Sequence, residues 1–199
     1  MRLFILGSTG KIGGRLVAQA LSRSHSVTTF GRSALNSVTG NPMNADALAA
    51  ALPNHDAVLS VLGTRGLGRT SVLIDSARAT VDAMRRARVR RLIIVSSALQ
   101  DLHIGWLTRF LSRTLLRPIT ADQRAMEDIV TKSDLDWTVL RPPMLTSGPL
   151  TARYKVTQTA PAQSAGMKMS RDDVAHMMLE VAESGSHVKE IVWLRGAPT

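Results

Sequence analysis

Three glycines spaced three residues apart, Gly7, Gly10 and Gly13, follow the first apolar segment of the chain. Glycine has no Cβ atom, so a loop of this kind can turn tightly and approach a diphosphate closely. Residues 3–6 before the loop predict a strand, and residues 11–22 have the apolar periodicity of a helix. The helix N-terminus would offer free N–H groups and a positive dipole end to the anion. We predict that the loop binds the pyrophosphate of a dinucleotide, a glycine-rich turn without a ligand being the alternative. The residues of this glycine loop are Gly7, Ser8, Thr9, Gly10, Lys11, Ile12 and Gly13.

The end of the second predicted strand, residues 27–30, indicates which dinucleotide binds. Sites selective for NAD carry an acidic residue there, which hydrogen-bonds the ribose 2′-OH. This chain has no acid at that point and continues with Arg32 and Ser33. The Arg32 guanidinium could grip a 2′-phosphate through two hydrogen bonds, with Ser33 adding a third, whereas a solvent-facing loop arginine is the alternative. Asp46, at the start of the next predicted helix, could accept from the adenine amino group or cap that helix. The pattern favours NADP(H).

The carboxyl ends of two further predicted strands, residues 57–62 and 92–96, should complete the site. Ligands of open parallel sheets lie outside these ends. Glycine at position 63 would let the backbone approach the cofactor. The further residues predicted to contact the cofactor, at these ends and after a strand at 137–140, are Leu62, Gly63, Thr64, Arg65, Ser96, Pro143 and Met144.

Acid/base chemistry by a Tyr-x-x-x-Lys pair is not encoded in its familiar form. Tyr154 is the only tyrosine, and the residue four positions later is Gln158. Hydride transfer would then depend mainly on positioning, with any proton coming from water or a weak donor. Ser97, after the strand at 92–96, is the candidate catalytic residue, placed to orient the substrate or the nicotinamide amide. His103 is either a proton donor or a surface residue.

Short apolar segments alternate with longer helical ones along the chain, which is typical of βαβ units. We predict an α/β fold, a Rossmann-type doubly wound parallel sheet in a single domain over residues 1–199, with a small C-terminal substrate-side region at about 142–199. Strands are predicted at 3–6, 27–30, 57–62, 92–96 and 137–140, with weaker ones at 154–159 and 191–194. Helices are predicted at 11–22, 46–52, 70–88, 104–116, 121–131 and 171–183, the last capped by Ser170.

Composition excludes several classes of site. The chain of 199 residues has no cysteine, so disulfides and thiolate–metal sites are impossible, and its five histidines are scattered, so no metal site is expected. No apolar segment reaches the length of a secretory core or a membrane span, and we expect a soluble cytoplasmic protein. The net charge of +10 includes one local arginine cluster, at residues 85–91. We interpret that cluster as a solvated helix end, which makes nucleic-acid binding an unlikely function.

Six segments give the chain a resemblance to a known group over nearly its whole length. They are residues 7–13, 56–65, 96–98, 137–143, 148–151 and 170–175. The chain resembles the atypical short-chain dehydrogenase/reductases with an NmrA-like NAD(P)-binding domain. The resemblance implies NADPH binding, reduction of flavins or related planar acceptors, a cofactor lined by residues 63–65, and Ser97 beside the nicotinamide. Gln123 and Met144 stand where flavin-reductase-type members of the group carry histidines.

Two functions follow from these patterns. The first is an NADPH-dependent oxidoreductase that passes hydride to a planar small-molecule acceptor such as a flavin or quinone. The second is a non-catalytic NADP(H)-sensing regulatory protein of the NmrA type. The segment at 106–117 could be a substrate lid, a membrane-surface helix, a dimer face or a core-facing helix, and the oligomeric state stays open.

Overall fold

The computed structural model describes residues 1–63, 71–98, 117–160 and 168–196, and only the backbone of residues 117–120. Several predictions fall outside the described residues. They concern Thr64, Arg65, His103 and the helix at 104–116.

Ten strands lie in the described part of the chain, eight of them in one sheet. In chain order they are β1 Arg2–Leu6, β2 Ser26–Gly31, β3 Val38–Thr39, β4 Ala57–Ser60, β5 Arg91–Val95, β6 Asp136–Arg141, β7 Met144–Thr146, β8 Tyr154–Thr157, β9 Lys168–Ser170 and β10 Glu190–Gly196. The large sheet has the order β3-β2-β1-β4-β5-β6-β10-β8, and β7 and β9 form a separate parallel pair. All neighbours in the large sheet are parallel except β8, which runs antiparallel to β10.

Five described helices cover both faces of the large sheet. They are α1 Gly13–Ser22, α2 Ala45–Ala51, α3 Val72–Ala87, α4 Arg117–Thr131 and α5 Arg171–Ser184. One apolar core contains residues of α1 and α5, and the other contains residues of α2, α3 and α4. The strand order reverses at β1, so the predicted doubly wound parallel sheet is confirmed.

The central strand β1 shows why its sequence is apolar without alternation. Leu3 and Ile5 belong to the core with α1 and α5, whereas Phe4 and Leu6 belong to the core on the opposite face. All four side chains are fully buried, because helices cover both faces of a parallel sheet. The glycine loop therefore starts from a strand held rigidly on both sides.

Several predicted boundaries were wrong by a few residues. Helix α1 begins at Gly13 rather than at residue 11, because residues 8–12 form turns and bends. Strand β4 ends at Ser60 rather than at residue 62. Helix α4 begins at Arg117 with Pro118 in its first turn, where the missing N–H of proline costs nothing. The strands β3, β7 and β9 were missed, since two or three residues are too few to show a period.

Candidate functional site

Two glycines of the glycine loop occupy positions that no side chain could share. Gly7 has φ +86°, and a Cβ atom on it would lie 2.8 Å from the carbonyl oxygen of Val61. A Cβ atom on Gly13 would lie 2.1 Å from the carbonyl oxygen of Gly7. Gly7 therefore makes the turn out of β1, and Gly13 lets the start of α1 pack against that turn.

The outer side of the glycine loop is open. Gly10 is exposed, and its N–H closes the turn by donating to the Gly7 carbonyl at 2.9 Å, while the N–H of Gly14 donates to the Gly10 carbonyl at 3.0 Å. Within the described residues, the N–H groups of Thr9, Lys11 and Ile12 are among those of the loop that find no acceptor. Free amides at a helix N-terminus, beside a glycine with no side chain, fit a diphosphate.

The loop after β2 lies next to the glycine loop. β1 and β2 are paired with Leu6 opposite Phe30, so both loops leave the same edge of the sheet from neighbouring strands. Arg32 is exposed and makes no ion pair with any described residue. The hydroxyl of Ser33 accepts from the N–H of Leu35 at 3.2 Å. The geometry thus leaves the Arg32 guanidinium available for an anion.

Asn36 is a residue of this region that sequence reasoning missed. Its side-chain oxygen accepts from the hydroxyl of Ser8, and its side-chain nitrogen donates to the carbonyl oxygen of Ser33 at 2.8 Å. It therefore connects the glycine loop with the loop after β2. An asparagine between two strands is an ordinary loop residue, and nothing in the sequence distinguishes it.

One alternative considered for Asp46 is wrong, namely that it caps the following helix. Asn44 caps α2, because its side-chain oxygen accepts from the N–H groups of Asp46 at 2.9 Å and Ala47 at 3.1 Å. The Asp46 carboxylate instead pairs with Arg86 of α3 at 2.8 Å, with 86% of its side chain exposed. Its contact with adenine stays a prediction.

The ends of β5 and β6 are joined beside the candidate catalytic serine. The N–H of Ser96 donates to the carbonyl of Leu140 at 2.8 Å, and the N–H of Ala98 donates to that of Pro142 at 2.9 Å. Ser97 lies between these two bonds and is partly buried. Its backbone is therefore fixed at the carboxyl edge of the sheet, next to the segment that contains Pro143 and Met144.

Gly63, beyond the end of β4, is surrounded by open space. No described atom lies within 4 Å of a Cβ atom placed on it, whereas the neighbouring Leu62 packs against the core. The packing of the described residues therefore gives no reason for glycine at this position, and among them a ligand has room to approach.

The segment between β7 and β8 is tied to helix α5 by one buried carboxylate. Asp173 accepts from the N–H and hydroxyl of Thr151 at 2.7 and 2.9 Å and from the N–H of Ala152 at 2.8 Å. Burial alone would raise the pKa of Asp173, but these hydrogen bonds and one involving Ser170 lower it below its ordinary value. The two sequence segments at 148–151 and 170–175 are therefore bonded to one another.

Met144, the first residue of β7, has an exposed side chain. It is 56% exposed, and it lies opposite Lys168 in the β7–β9 pair. Gln123, on α4, carries a buried side-chain oxygen that has no hydrogen-bond donor among the described residues. A buried acceptor without a donor calls for an explanation, and a ligand N–H is one.

Tyr154 is partly buried and bonded to a histidine. Its hydroxyl and Nδ1 of His176 lie 2.7 Å apart, and its ring packs against the α1–α5 core. Burial, followed by the charges of Glu180 and Asp173, raises the pKa of Tyr154 to about 12. The phenol is thus neutral at physiological pH.

An ion pair fixes α4 against the sheet near the site. Arg141 donates from Nε to Oε1 of Glu127 at 3.1 Å, and a second bond joins its NH2 group to Oε2. Its guanidinium also lies 5.0 Å from the ring centroid of Trp193. Both members of the pair are largely buried, so the pair is structural and removal of one partner would leave an uncompensated charge.

The arginine cluster at residues 85–91 is mostly used within the molecule. Arg85 pairs with Asp134 at 2.7 Å, and Arg90 pairs with Asp136 at 3.1 Å. Arg91 donates to three backbone carbonyls, and burial lowers its pKa. Arg85 and Arg86 lie exposed in the last turn of α3, in agreement with the interpretation as a solvated helix end, whereas Arg91 is partly buried.

Two kinds of feature do not occur in the described residues. No group of three or more metal-ligating side chains occurs in the ranges that the structure describes. No described helix is both long and apolar enough to cross a membrane.

Comparisons with known proteins match the chain over most of its length. The model of the NAD(P)H-binding family matches residues 7–184. The uncharacterized sugar epimerase YhfK of Bacillus subtilis (strain 168) is 26% identical over 198 residues, covering 90% of this chain and 86% of that protein. A short-chain dehydrogenase/reductase from Veillonella parvula DSM 2008, solved in complex with NADP, is 21% identical with a TM-score of 0.81, covering 99% of this chain and 94% of that one. The anaerobillin reductase ChuY from Escherichia coli O157:H7 is 22% identical with a TM-score of 0.78, covering 98% and 97%.

Proposed function

This chain belongs to the NAD(P)H-binding family of Rossmann-type, short-chain-dehydrogenase-like proteins. From that premise we propose that it is an NADPH-dependent oxidoreductase whose acceptor is a flat small molecule. The observation that carries the proposal is the open glycine loop with an unpaired arginine after β2, both at one edge of the sheet. A dinucleotide with a 2′-phosphate fits that pair of features.

In this proposal, different residues along the carboxyl edge of the sheet bind different parts of the dinucleotide. The free amides of the glycine loop hold the pyrophosphate, and Arg32 and Ser33 hold the 2′-phosphate. Asp46 contacts the adenine. When bound, NADPH supplies a hydride. Ser97 orients the nicotinamide amide or the substrate, and Gly63, Pro143 and Met144 bound the space above it.

The acceptor is proposed to be a flavin, a quinone or a related planar compound. The exposed Met144 offers an apolar surface against which a ring could lie, and the unsatisfied oxygen of Gln123 could accept from a ring N–H. The solved anaerobillin reductase shares this fold. We further propose the finer assignment to the NmrA-like group, close to biliverdin reductase B, with residues from about 142 onward as the substrate side.

The test is binding followed by turnover. Titration calorimetry should detect NADPH binding that is tighter than NADH binding. The absorbance of reduced nicotinamide should then fall when FMN, a quinone or a bilin is added to the protein with NADPH. Absence of binding by both dinucleotides would refute the proposal.

The non-catalytic sensor is the second candidate, and it is favoured by the placement of Tyr154. The only tyrosine of the chain is bonded to His176, and burial raises its pKa to about 12, so it supplies no ionised base at physiological pH. A sensor would bind NADPH and NADP⁺ with different affinities and would oxidise none of the acceptors. Equal affinity for the two redox forms, combined with turnover, would exclude it.

A further inference from the structure

The side chain of Asn36 is held at both ends. Its oxygen accepts from the hydroxyl of Ser8, and its nitrogen donates to the Ser33 carbonyl at 2.8 Å. The backbone N–H of Asn36 donates to the same carbonyl at 3.1 Å. Because the side-chain N–H₂ must face a carbonyl oxygen, the orientation of the amide is fixed. The hydroxyl of Ser8 has one proton, and it donates that proton to the side-chain oxygen of Asn36.

Gly31 makes room for this side chain. A Cβ atom on Gly31 would lie 2.9 Å from the side-chain nitrogen of Asn36 and 3.4 Å from its Cγ. Gly31 is absent from the residues with positive φ, so its backbone conformation does not itself require glycine. The packing of Asn36 therefore favours glycine at the end of β2, since a Cβ atom there would push the side-chain amide out of this position.

The inward carbonyl of Ser33 also fixes the peptide that follows it. In a trans peptide the N–H points opposite to the C=O, so the N–H of Ala34 points away from Asn36. Ala34 is exposed, and its N–H has no acceptor among the described residues. Residues 32–34 thus present a guanidinium and a free amide on a loop that is tied to the glycine loop.

We infer that Asn36 is a specificity-determining positioning residue, which joins the 2′-phosphate loop to the glycine loop and thereby sets the preference for NADPH over NADH. The inference rests on the proposed function, in that it takes NADPH as the ligand. A loop held in its binding conformation loses less freedom when the ligand arrives, so the tether favours the ligand that uses the loop. NADH, which has no 2′-phosphate, gains little from it.

The experiment is a double-mutant cycle read by calorimetry with four ligands, NADPH, NADH, 2′,5′-ADP and ADP. Asn36→Ala should raise the dissociation constants for NADPH and 2′,5′-ADP about tenfold, which corresponds to ~1.4 kcal/mol. It should change the dissociation constants for NADH and ADP by less than about twofold, which is the error of additivity for independent sites. In an Arg32→Ala background, Asn36→Ala should weaken NADPH binding by clearly less than tenfold, because only Ser33 and the N–H of Ala34 are then left for it to position.

Asn41→Ala is the matched control. Asn41 lies in the same stretch between β2 and α2, and its side-chain oxygen accepts from the N–H of Met43 at 3.2 Å. This variant should bind all four ligands as the wild type does. Ser8→Ala removes only the bond to the glycine loop and should weaken NADPH selectively by about threefold, roughly half of the tenfold effect on a free-energy scale. It carries the same test if Asn36→Ala fails to fold.

Equal weakening of NADPH and NADH by Asn36→Ala or Ser8→Ala would overturn the inference, since Asn36 would then act on the glycine loop alone. Additive effects of Asn36→Ala and Arg32→Ala would overturn it as well. A wild-type protein that binds NADPH and NADH equally would refute it without refuting dinucleotide binding. A wild-type protein that binds neither dinucleotide would refute the proposed function itself.

Discussion

Replacement of Arg32 by alanine should remove the preference for NADPH. Arg32 is exposed and unpaired among the described residues, so no protein contact is lost with it. Hydrogen bonds to charged groups contribute about 1.5–3 kcal/mol, and an exposed guanidinium belongs at the lower end of that range. We therefore expect the dissociation constant for NADPH to rise about 10- to 30-fold, at about 1.4 kcal/mol per tenfold change. The constant for NADH should stay within about twofold of the wild type.

The assay is titration calorimetry at two salt concentrations. A contact between exposed charges weakens with ionic strength, so the wild-type preference for NADPH should shrink at high salt, and the variant should show no such dependence. Arg85→Ala is the matched control, because it removes the same charge from the last turn of α3, where the arginine makes only an exposed pair with Asp134. It should bind both dinucleotides as the wild type does.

Two results would refute the reasoning about Arg32. One is a loss of affinity for NADH as large as that for NADPH, which would place Arg32 at a part of the cofactor that both dinucleotides share. The other is an unchanged NADPH affinity, which would make Arg32 the solvent-facing loop arginine that the sequence left open.

Three further predictions concern other parts of the site. Gly13→Ala should lower the melting temperature by several degrees, because its Cβ would lie 2.1 Å from the Gly7 carbonyl and overpacking costs about 1–3 kcal/mol. Gly63→Ala should melt as the wild type does and lose affinity for NADPH. Equal melting temperatures of the two variants would contradict the packing argument. Asp173→Asn should destabilise the protein at neutral pH and make its melting temperature fall less steeply on the acid side. The pKa of Asp173 is lowered in the folded protein, so the carboxylate contributes stability above its ordinary pKa of about 4, and this stability is lost as the pH falls through the folded pKa. An unchanged dependence of melting temperature on pH would count against the bonds from Asp173 to Thr151 and Ala152. Tyr154→Phe should keep kcat within about twofold of the wild type. General acid/base groups contribute about 10²–10⁴-fold to the rate, so a 100-fold or larger loss in steady-state turnover would show that the phenol is catalytic.

The sequence predicted the sheet and the glycine loop because both depend on local patterns. β1 is apolar at every position from Leu3 to Leu6, and the glycines follow it at fixed spacing, so strand, turn and helix start can be read without tertiary information. Arg32 was predicted as a 2′-phosphate ligand from a local pattern as well, since its position after β2 follows from the fold type. The reversal of strand order at β1 then follows from the fold type as well.

The parts that could not be predicted depend on contacts between distant segments. Asn36 bonds to Ser8 across 28 positions, and Asp173 bonds to Thr151 across 22, although each residue alone has an ordinary type for a loop or a helix start. Asn44, not Asp46, caps α2, and both types are good caps, so composition could not separate them. The short strands β7 and β9 exist only because they pair with each other.

The topology separates affinity from chemistry within the site. The connection between β2 and β3, which contains Arg32 and Asn36, lies on one side of the glycine loop, and the ends of β4 and β5, which Gly63 and Ser97 follow, lie on the other. In the proposed function the adenosine half of NADPH would lie on the first side. Ligand contacts on the first side are the same before and during hydride transfer, so they alter binding equally in both states and leave kcat unchanged. Contacts at Ser97 can change between those states, since they lie where the reacting ring is held. Variants of Arg32 and Asn36 should therefore change KM for NADPH, whereas Ser97→Ala should lower kcat, and a fall in kcat from an Arg32 variant would show that the two halves of the site are coupled.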